Sequence, residues 1–245
     1  GRFMRLAIIR QRYNPFGGAE RFITNAATEL IKQGVELTVV ARQWQGTPAA
    51  GSWLQCDPFY LGRVWRDRGF ARAVHVLMER EKFDLVQSHE RIEGCDIYRA
   101  GDGVHAQWLD YRARLLSAPR RLALRVSPFH RHLLAAERVM FASPKLRTVI
   151  CNSAMVRDEI AQRFSVAREK LHVVYNGVDL NRFRYDDEPT RTPLLDRWQV
   201  PLGAQVLIFV GSGFERKGLA SVIKALALLR NPNAYLLVIG EDRDA

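Results

Sequence analysis

An apolar run of strand length, Arg5-Leu-Ala-Ile-Ile-Arg10, stops at a cluster of turn formers, Asn14-Pro-Phe-Gly-Gly18, and the residues after it have helical period. Between Ala19 and Gln33 the apolar side chains fall at Ile23, Ala26, Ala27, Leu30 and Ile31, one face of a helix, and Gly34 stands where a left-handed cap belongs. Val35-Glu-Leu-Thr-Val-Val40 then reads as a second strand. Strand, helix and strand in so short a stretch imply one right-handed crossover between parallel strands.

The alternation continues. It predicts a helix over 70–81, strands over 84–88 and 96–100, helices over 104–116 and 122–141, a strand over 147–151, a helix over 154–164 and a strand over 171–175. Such a series builds a parallel sheet with helices on both faces. After it, Asn176-Gly-Val-Asp179 and the polar stretch to Pro193 read as a connection. A second series then starts: strand 205–210, a glycine-rich loop over 211–218, helix 219–229 and strand 234–239. The expected organisation is an N-terminal domain over 4–176, a connection over 177–203 and the start of a second domain over 204–245. One strand-helix-strand unit cannot bury both faces of a parallel sheet, so the second domain reads as incomplete and the chain as truncated.

Composition removes several classes. In 245 residues, 47% hydrophobic and 26% charged, there is material for a large core and no apolar run near the ~20 residues of a bilayer-crossing helix. Gly1, Arg2 and Phe3 precede Met4 and read as a cloning remnant, with no secretory signal, so a cytoplasmic location is expected. Cys56, Cys95 and Cys151 are odd in number and widely spaced, which suits buried free thiols better than disulfides or zinc. The net charge of +11 asks for an anionic partner: nucleic acid, lipid or phosphorylated substrate.

Two loops carry candidate chemistry. In Phe209-Val-Gly211-Ser212-Gly213-Phe-Glu-Arg216-Lys217-Gly218, glycines admit backbone N–H groups close to an anion, the helix start adds partial positive charge, and Arg216 and Lys217 add full charges. A dinucleotide fingerprint fits less well, because Arg216 replaces its third glycine, and no Gly-Lys-Ser/Thr triplet exists for a Walker loop. The second loop, Asn14-Pro-Phe-Gly17-Gly18-Ala-Glu-Arg21, also opens a helix. Lying at the carboxyl ends of their strands, the two loops could face each other across an interdomain cleft. Asp242-Arg-Asp244 has a metal-binding spacing but follows a strand at the chain's end and reads as coincidence, so no metal is expected.

Four stretches together resemble the retaining glycosyltransferases of family 4: Phe16-Gly-Gly-Ala-Glu-Arg21, Gly94-Cys-Asp-Ile-Tyr-Arg-Ala-Gly-Asp102, Asn176-Gly-Val-Asp179 and Val210-Gly-Ser-Gly-Phe-Glu-Arg-Lys-Gly218. The resemblance implies a GT-B type α/β fold, two Rossmann-like domains of which the second is only begun here. It implies transfer of a hexose, glucose being the expected one, from a nucleotide-diphosphate sugar to the lipopolysaccharide core or a related envelope glycolipid, with retention. No cofactor is implied beyond that co-substrate, expected to be UDP-glucose. On this likeness Gly17, Gly18, Gly211, Ser212, Gly213, Arg216 and Lys217 hold the donor diphosphate, and Asp102 and His105 lie near the transferred sugar or acceptor, with His89 a competitor for the histidine's role. The family's paired glutamates would fall beyond Ala245, so the fragment itself is expected to be inactive.

From Arg112 to Arg147 the chain is rich in arginine and poor in acid. Arg112, Arg114, Arg120, Arg121 and Arg125, followed by Arg131, Arg138 and Arg147, interleave with Trp108, Tyr111, Leu115, Leu122 and Phe129. Basic and apolar residues so mixed suit peripheral attachment to an anionic membrane surface, where a lipid-linked glycan acceptor would be met. Nucleic acid is not expected, for want of a binding module. The alternatives are a nicotinamide-dependent oxidoreductase and a non-catalytic sugar- or lipid-binding module.

Overall fold

The computed structural model describes residues 3–13, 18–46, 51–181, 183–185 and 191–242. The chain divides into two compact units, Gly1–Gly177 and Val178–Ala245, each of which has its own sheet.

In the first unit seven parallel strands are ordered β5-β3-β1-β6-β7-β8-β9: β1 is Met4–Ile9, β3 Val35–Ala41, β5 Ser52–Gln55, β6 Leu85–Ser88, β7 Ile97–Ala100, β8 Thr148–Cys151 and β9 Leu171–Val173. β1 lies between β3 and β6, with Ile8 beside Val39 on one side and Gln87 on the other. The chain winds outward in one direction from β1 through β3 to β5, and in the other from β6 to β9. The switch between directions lies at β1 and β6, and in sheets of this kind ligands bind outside the carboxyl ends of the strands at that place. Two-residue strands β2 (Arg12–Tyr13) and β4 (Gln43–Trp44) pair beside this sheet.

The apolar runs became strands because both sheet faces are covered. Ile8, Ile9, Val39 and Val40 are all buried, and each contributes about 1.5–3 kcal/mol over its exposed state. On one side Ile8, Leu37 and Val39 pack with Ile23 and Ala27 of α1 (Gly18–Lys32), the apolar face read from the helical spacing. Ile9 and Val40 pack with Phe70, Val74 and Leu77 of α2 (Arg63–Glu81). A third cluster joins Tyr98, Val149 and Leu171 to Met140 and Ile160, which come from α5 (Pro128–Ala142) and α6 (Ala154–Phe164). The three cysteines are free and buried, as expected.

Two of the local differences from the sequence expectation have physical causes. The helix expected over 122–141 is two, α4 (Ala118–Val126) and α5, because Pro128 cannot continue a helix and Ser127 caps the next one by accepting the His130 N–H. α3 spans His105–Arg114. β5 was not foreseen: only Trp53 and Leu54 of its four residues are apolar, too few to display a period.

The second unit contains α7 (Arg191–Arg197), β10 (Gln205–Val210), α8 (Phe214–Lys217), α9 (Leu219–Leu229) and β11 (Ala234–Ile239). β10 and β11 are parallel over six residue pairs, so helix α9 forms the crossover. Ile208 and Val210 are 60% and 62% exposed, so much of this sheet's apolar surface remains uncovered.

Candidate functional site

At the carboxyl edge of the first sheet, the parallel register puts Ile9, Ser88 and Tyr98 in one row across β1, β6 and β7. The residues that follow them are Arg10, His89 and Arg99. Two carboxylates lie near Arg10: its Nη1 is 3.9 Å from Glu90 Oε1 and 3.8 Å from Asp102 Oδ2. Glu90 also accepts the Gln11 backbone N–H at 2.7 Å, and burial pushes its pKa up. Asp102 is the solvent-facing member, with its side chain 66% exposed. The switch point therefore presents one well-exposed carboxylate paired with Arg10, while His89 and Arg99 of the same row are buried.

His105 begins α3. Its backbone N–H and that of Ala106 both donate to the buried carboxylate of Glu137, at 2.8 and 3.2 Å. Glu137 also receives Arg91 Nε at 3.1 Å, and Arg91 reaches the Gly103 carbonyl at 3.3 Å. The loop carrying Asp102 and the start of α3 are thus tied to α5 by one charged cluster. The His105 ring turns to the helices: Nε2 is 3.1 Å from His130 Nδ1, and the ring stacks on Trp108 and His130. Burial holds its pKa down to about 4, with the charges of Arg91 and His130 adding to the effect, so it is neutral at pH 7. Asp102 and His105 are near in sequence, but their side chains engage different partners.

Gly17 lies outside the described residues, and Gly18 is the first residue of α1. In the second unit Gly211, Ser212 and Gly213 form the bend between β10 and α8, and Arg216 and Lys217, both exposed, lie on α8 itself, which the sequence had assigned to the loop. Glycine is required in the bend and again directly after β11. Gly211 has φ +151°, and a Cβ there would meet Lys217 Cδ and Nζ at 2.8 and 2.9 Å, so the lysine stem lies across the bare backbone. At Gly240, with φ +139°, a Cβ would stand 1.9 Å from the Gly211 carbonyl oxygen. The first N–H of α8, at Phe214, donates to the Asp242 carboxylate. An anionic group therefore already sits at the end of this loop, as its donor geometry favours.

Of the basic residues, Arg114, Arg120, Arg121 and Arg125 are exposed, whereas Arg112 lies half-buried over the Trp108 ring. Leu115, Leu122 and Val126 are exposed among them at 88%, 62% and 59%. Among the described residues no helix is long and apolar enough to cross a membrane.

Sequence reasoning did not find Glu137, Glu90, Arg91 or His130. One signal was available for Glu137: it is the lone acidic residue in the apolar stretch His132-Leu-Leu-Ala-Ala-Glu-Arg-Val-Met-Phe141.

The family model for Glycosyltransferase Family 4 matches residues 16–182. The lipopolysaccharide glucosyltransferase WaaG of Escherichia coli strain K12 is 24% identical over 246 residues, covering 98% of this chain and 64% of that protein. A crystal structure of WaaG superposes with a TM-score of 0.81 at 23% identity, over 97% of this chain and 64% of that one. Anabaena HepE, solved in complex with UDP and glucose, has a TM-score of 0.60 at 19% identity, over 98% of this chain and 61% of that one. The chain thus spans less than two thirds of each of these relatives.

Proposed function

The chain belongs to glycosyltransferase family 4, and on that footing we propose that the whole protein transfers a hexose, glucose in our reading, from a UDP-sugar to a lipid-linked envelope glycan such as the lipopolysaccharide core, with retention. The observation that carries this reading is the β10–α8 bend: Gly211 and Gly213 at positive φ, followed by the exposed Arg216 and Lys217. Breaking an anomeric bond to a nucleotide leaves negative charge on the diphosphate, and preorganised cations and N–H groups stabilise that charge as it develops. Arg216 would fork two oxygens and Lys217 would add a point charge. The nucleotide sugar is the co-substrate, and no cofactor is required.

In the first unit Asp102 has the exposure to reach a hydroxyl of the sugar or acceptor, and the neutral His105 ring, paired with His130, supplies a second polar group. WaaG's name as a lipopolysaccharide glucosyltransferase supports the sugar and acceptor class, and the UDP in HepE supports the nucleotide. The exposed arginines and leucines of α3 and α4 would hold the enzyme to the inner face of the cytoplasmic membrane.

A thermal-shift titration of the full-length protein with UDP, ADP and NAD tests the reading. Stabilisation by UDP that weakens in Arg216→Ala and Lys217→Ala is expected. Stabilisation by NAD alone would contradict it.

A further inference from the structure

The segment between β5 and α2, Cys56-Asp-Pro-Phe-Tyr-Leu-Gly62, is held from beneath by one arginine. Arg42, fully buried, donates from Nη1 to Asp57 Oδ1 at 2.8 Å and to the Pro58 carbonyl at 2.6 Å. Its Nη2 donates to the Arg66 carbonyl at 2.9 Å, and its guanidinium lies over the Tyr60 ring at 4.7 Å. With Tyr60 turned inward to Arg42, its neighbours Phe59 and Leu61 stand in solvent, 73% and 68% exposed. Trp65, one turn beyond Leu61 on α2, is 49% exposed, and its ring meets Phe59 edge to face at 5.7 Å. Large apolar side chains are thus displayed together on an anchored segment, and a contiguous exposed patch of this kind marks an interaction surface.

The charge around the patch has one sign. Between residues 57 and 72 the acids are Asp57 and Asp67, and both are engaged inward. Asp57 pairs with Arg42, and Asp67 accepts Arg66 Nε at 2.9 Å and Gln11 Nε2 at 3.2 Å. Arg63, Arg68 and Arg72 are exposed and, among the described residues, form no ion pair. A second copy of the chain would bring these arginines against their own kind, which disfavours self-association through this face. Anionic lipid fits instead, since aromatic and aliphatic side chains lie at the acyl boundary while arginines reach the phosphates. The patch also adjoins the basic helix α4: the Arg63 guanidinium lies over the ring of Phe129, in the first turn of α5, at 4.8 Å.

We propose that Phe59, Leu61 and Trp65 insert into the interface of an anionic bilayer while Arg63, Arg68 and Arg72 meet its phosphates, a second point of attachment beside α4. The proposal rests on the transferase reading only for why the enzyme works at a lipid surface; vesicle binding is read without donor, acceptor or sugar transfer.

Cosedimentation of the full-length protein with phosphatidylglycerol-containing vesicles tests it, together with tryptophan fluorescence in vesicles whose acyl chains carry bromine, which quenches indoles that enter the bilayer. The triple variant Phe59→Ser/Leu61→Ser/Trp65→Ser should bind at least about tenfold more weakly than the wild type. In brominated vesicles the wild type should be quenched, and Trp65→Phe, which keeps an aromatic ring, should bind as well but lose most of that quenching. Should the triple variant fail to fold, Trp65→Phe decides alone. Equal binding by the triple variant and wild type, or equal quenching in Trp65→Phe, overturns the insertion. Binding lost in Arg120→Ala/Arg121→Ala/Arg125→Ala but kept in the triple variant would leave attachment to α4 alone and likewise overturn it. Self-association of the wild type that the triple variant abolishes, with vesicle binding unchanged, would assign the patch to a second copy and overturn it as well. None of these outcomes bears on donor binding, which the UDP titration reads separately.

Discussion

Glu137 Oε1 accepts the backbone N–H of His105 at 2.8 Å, so a carboxylate 32 residues further along the chain caps the start of the helix that follows the Asp102 loop. The same carboxylate holds Arg91, and both partners are largely shielded from water. Removing one member of such a pair leaves a buried charge alone, typically at a cost of about 3–5 kcal/mol. Glu137→Ala should lose stability on that scale in urea denaturation, and Glu137→Gln, which keeps acceptor and shape, should lose less. A loss below about 1 kcal/mol in Glu137→Ala would mean that the cap is not holding α3.

Gly240→Ala should disturb the second unit through backbone collision alone, since its Cβ would fall 1.9 Å from the Gly211 carbonyl oxygen. Overpacking of this kind costs about 1–3 kcal/mol, and here the strain falls on the bend that carries Arg216 and Lys217. A lower Tm together with weaker UDP binding is the expected result. Unchanged UDP affinity would separate the bend from donor binding.

Much of this architecture was legible because its signals are local. The β1–α1–β3 crossover follows from an apolar run, a turn cluster and a helical face within about 40 residues, and the bend at Gly211 follows from glycines beside basic residues. The polar cluster at the switch point was harder to read because it is assembled over long separations: Arg99 meets Asn176 across 77 residues and Arg91 meets Glu137 across 46. No periodicity records such pairings. A basic residue inside the buried run Ile97-Tyr-Arg-Ala100 was a visible anomaly, but it names no partner.

His89 should make the fold acid-sensitive. Burial, reinforced by the charges of Arg99 and Arg10, lowers its pKa from 6.5 to about 3. Between those values the unfolded chain binds a proton that the folded chain excludes, so stability falls as pH drops from 6.5 toward 3. The slope is up to about 1.4 kcal/mol per pH unit. Denaturation at pH 6.5, 5.5 and 4.5 should give a shallower decline in His89→Gln than in the wild type. Equal slopes would show that His89 titrates normally.

The basic face of α3 and α4 should bind anionic vesicles. At about 1 kcal/mol per arginine, replacing Arg120, Arg121 and Arg125 by alanine should weaken cosedimentation with phosphatidylglycerol-containing vesicles by roughly a hundredfold, and added salt should weaken the wild type similarly. Binding that is indifferent to both would remove the membrane from the account.

Sugar transfer itself is the most direct test. The full-length protein is incubated with UDP-glucose and envelope glycolipid lacking the outer sugars, and the lipid product is followed by mass spectrometry. The account predicts a gain of one hexose, with kcat reduced about 10²–10³-fold in Arg216→Ala/Lys217→Ala, the loss expected when groups that stabilise developing charge are removed. Transfer at the wild-type rate by that double variant would contradict the role given to the β10–α8 bend, and absence of any transfer from UDP-glucose would contradict the proposed donor.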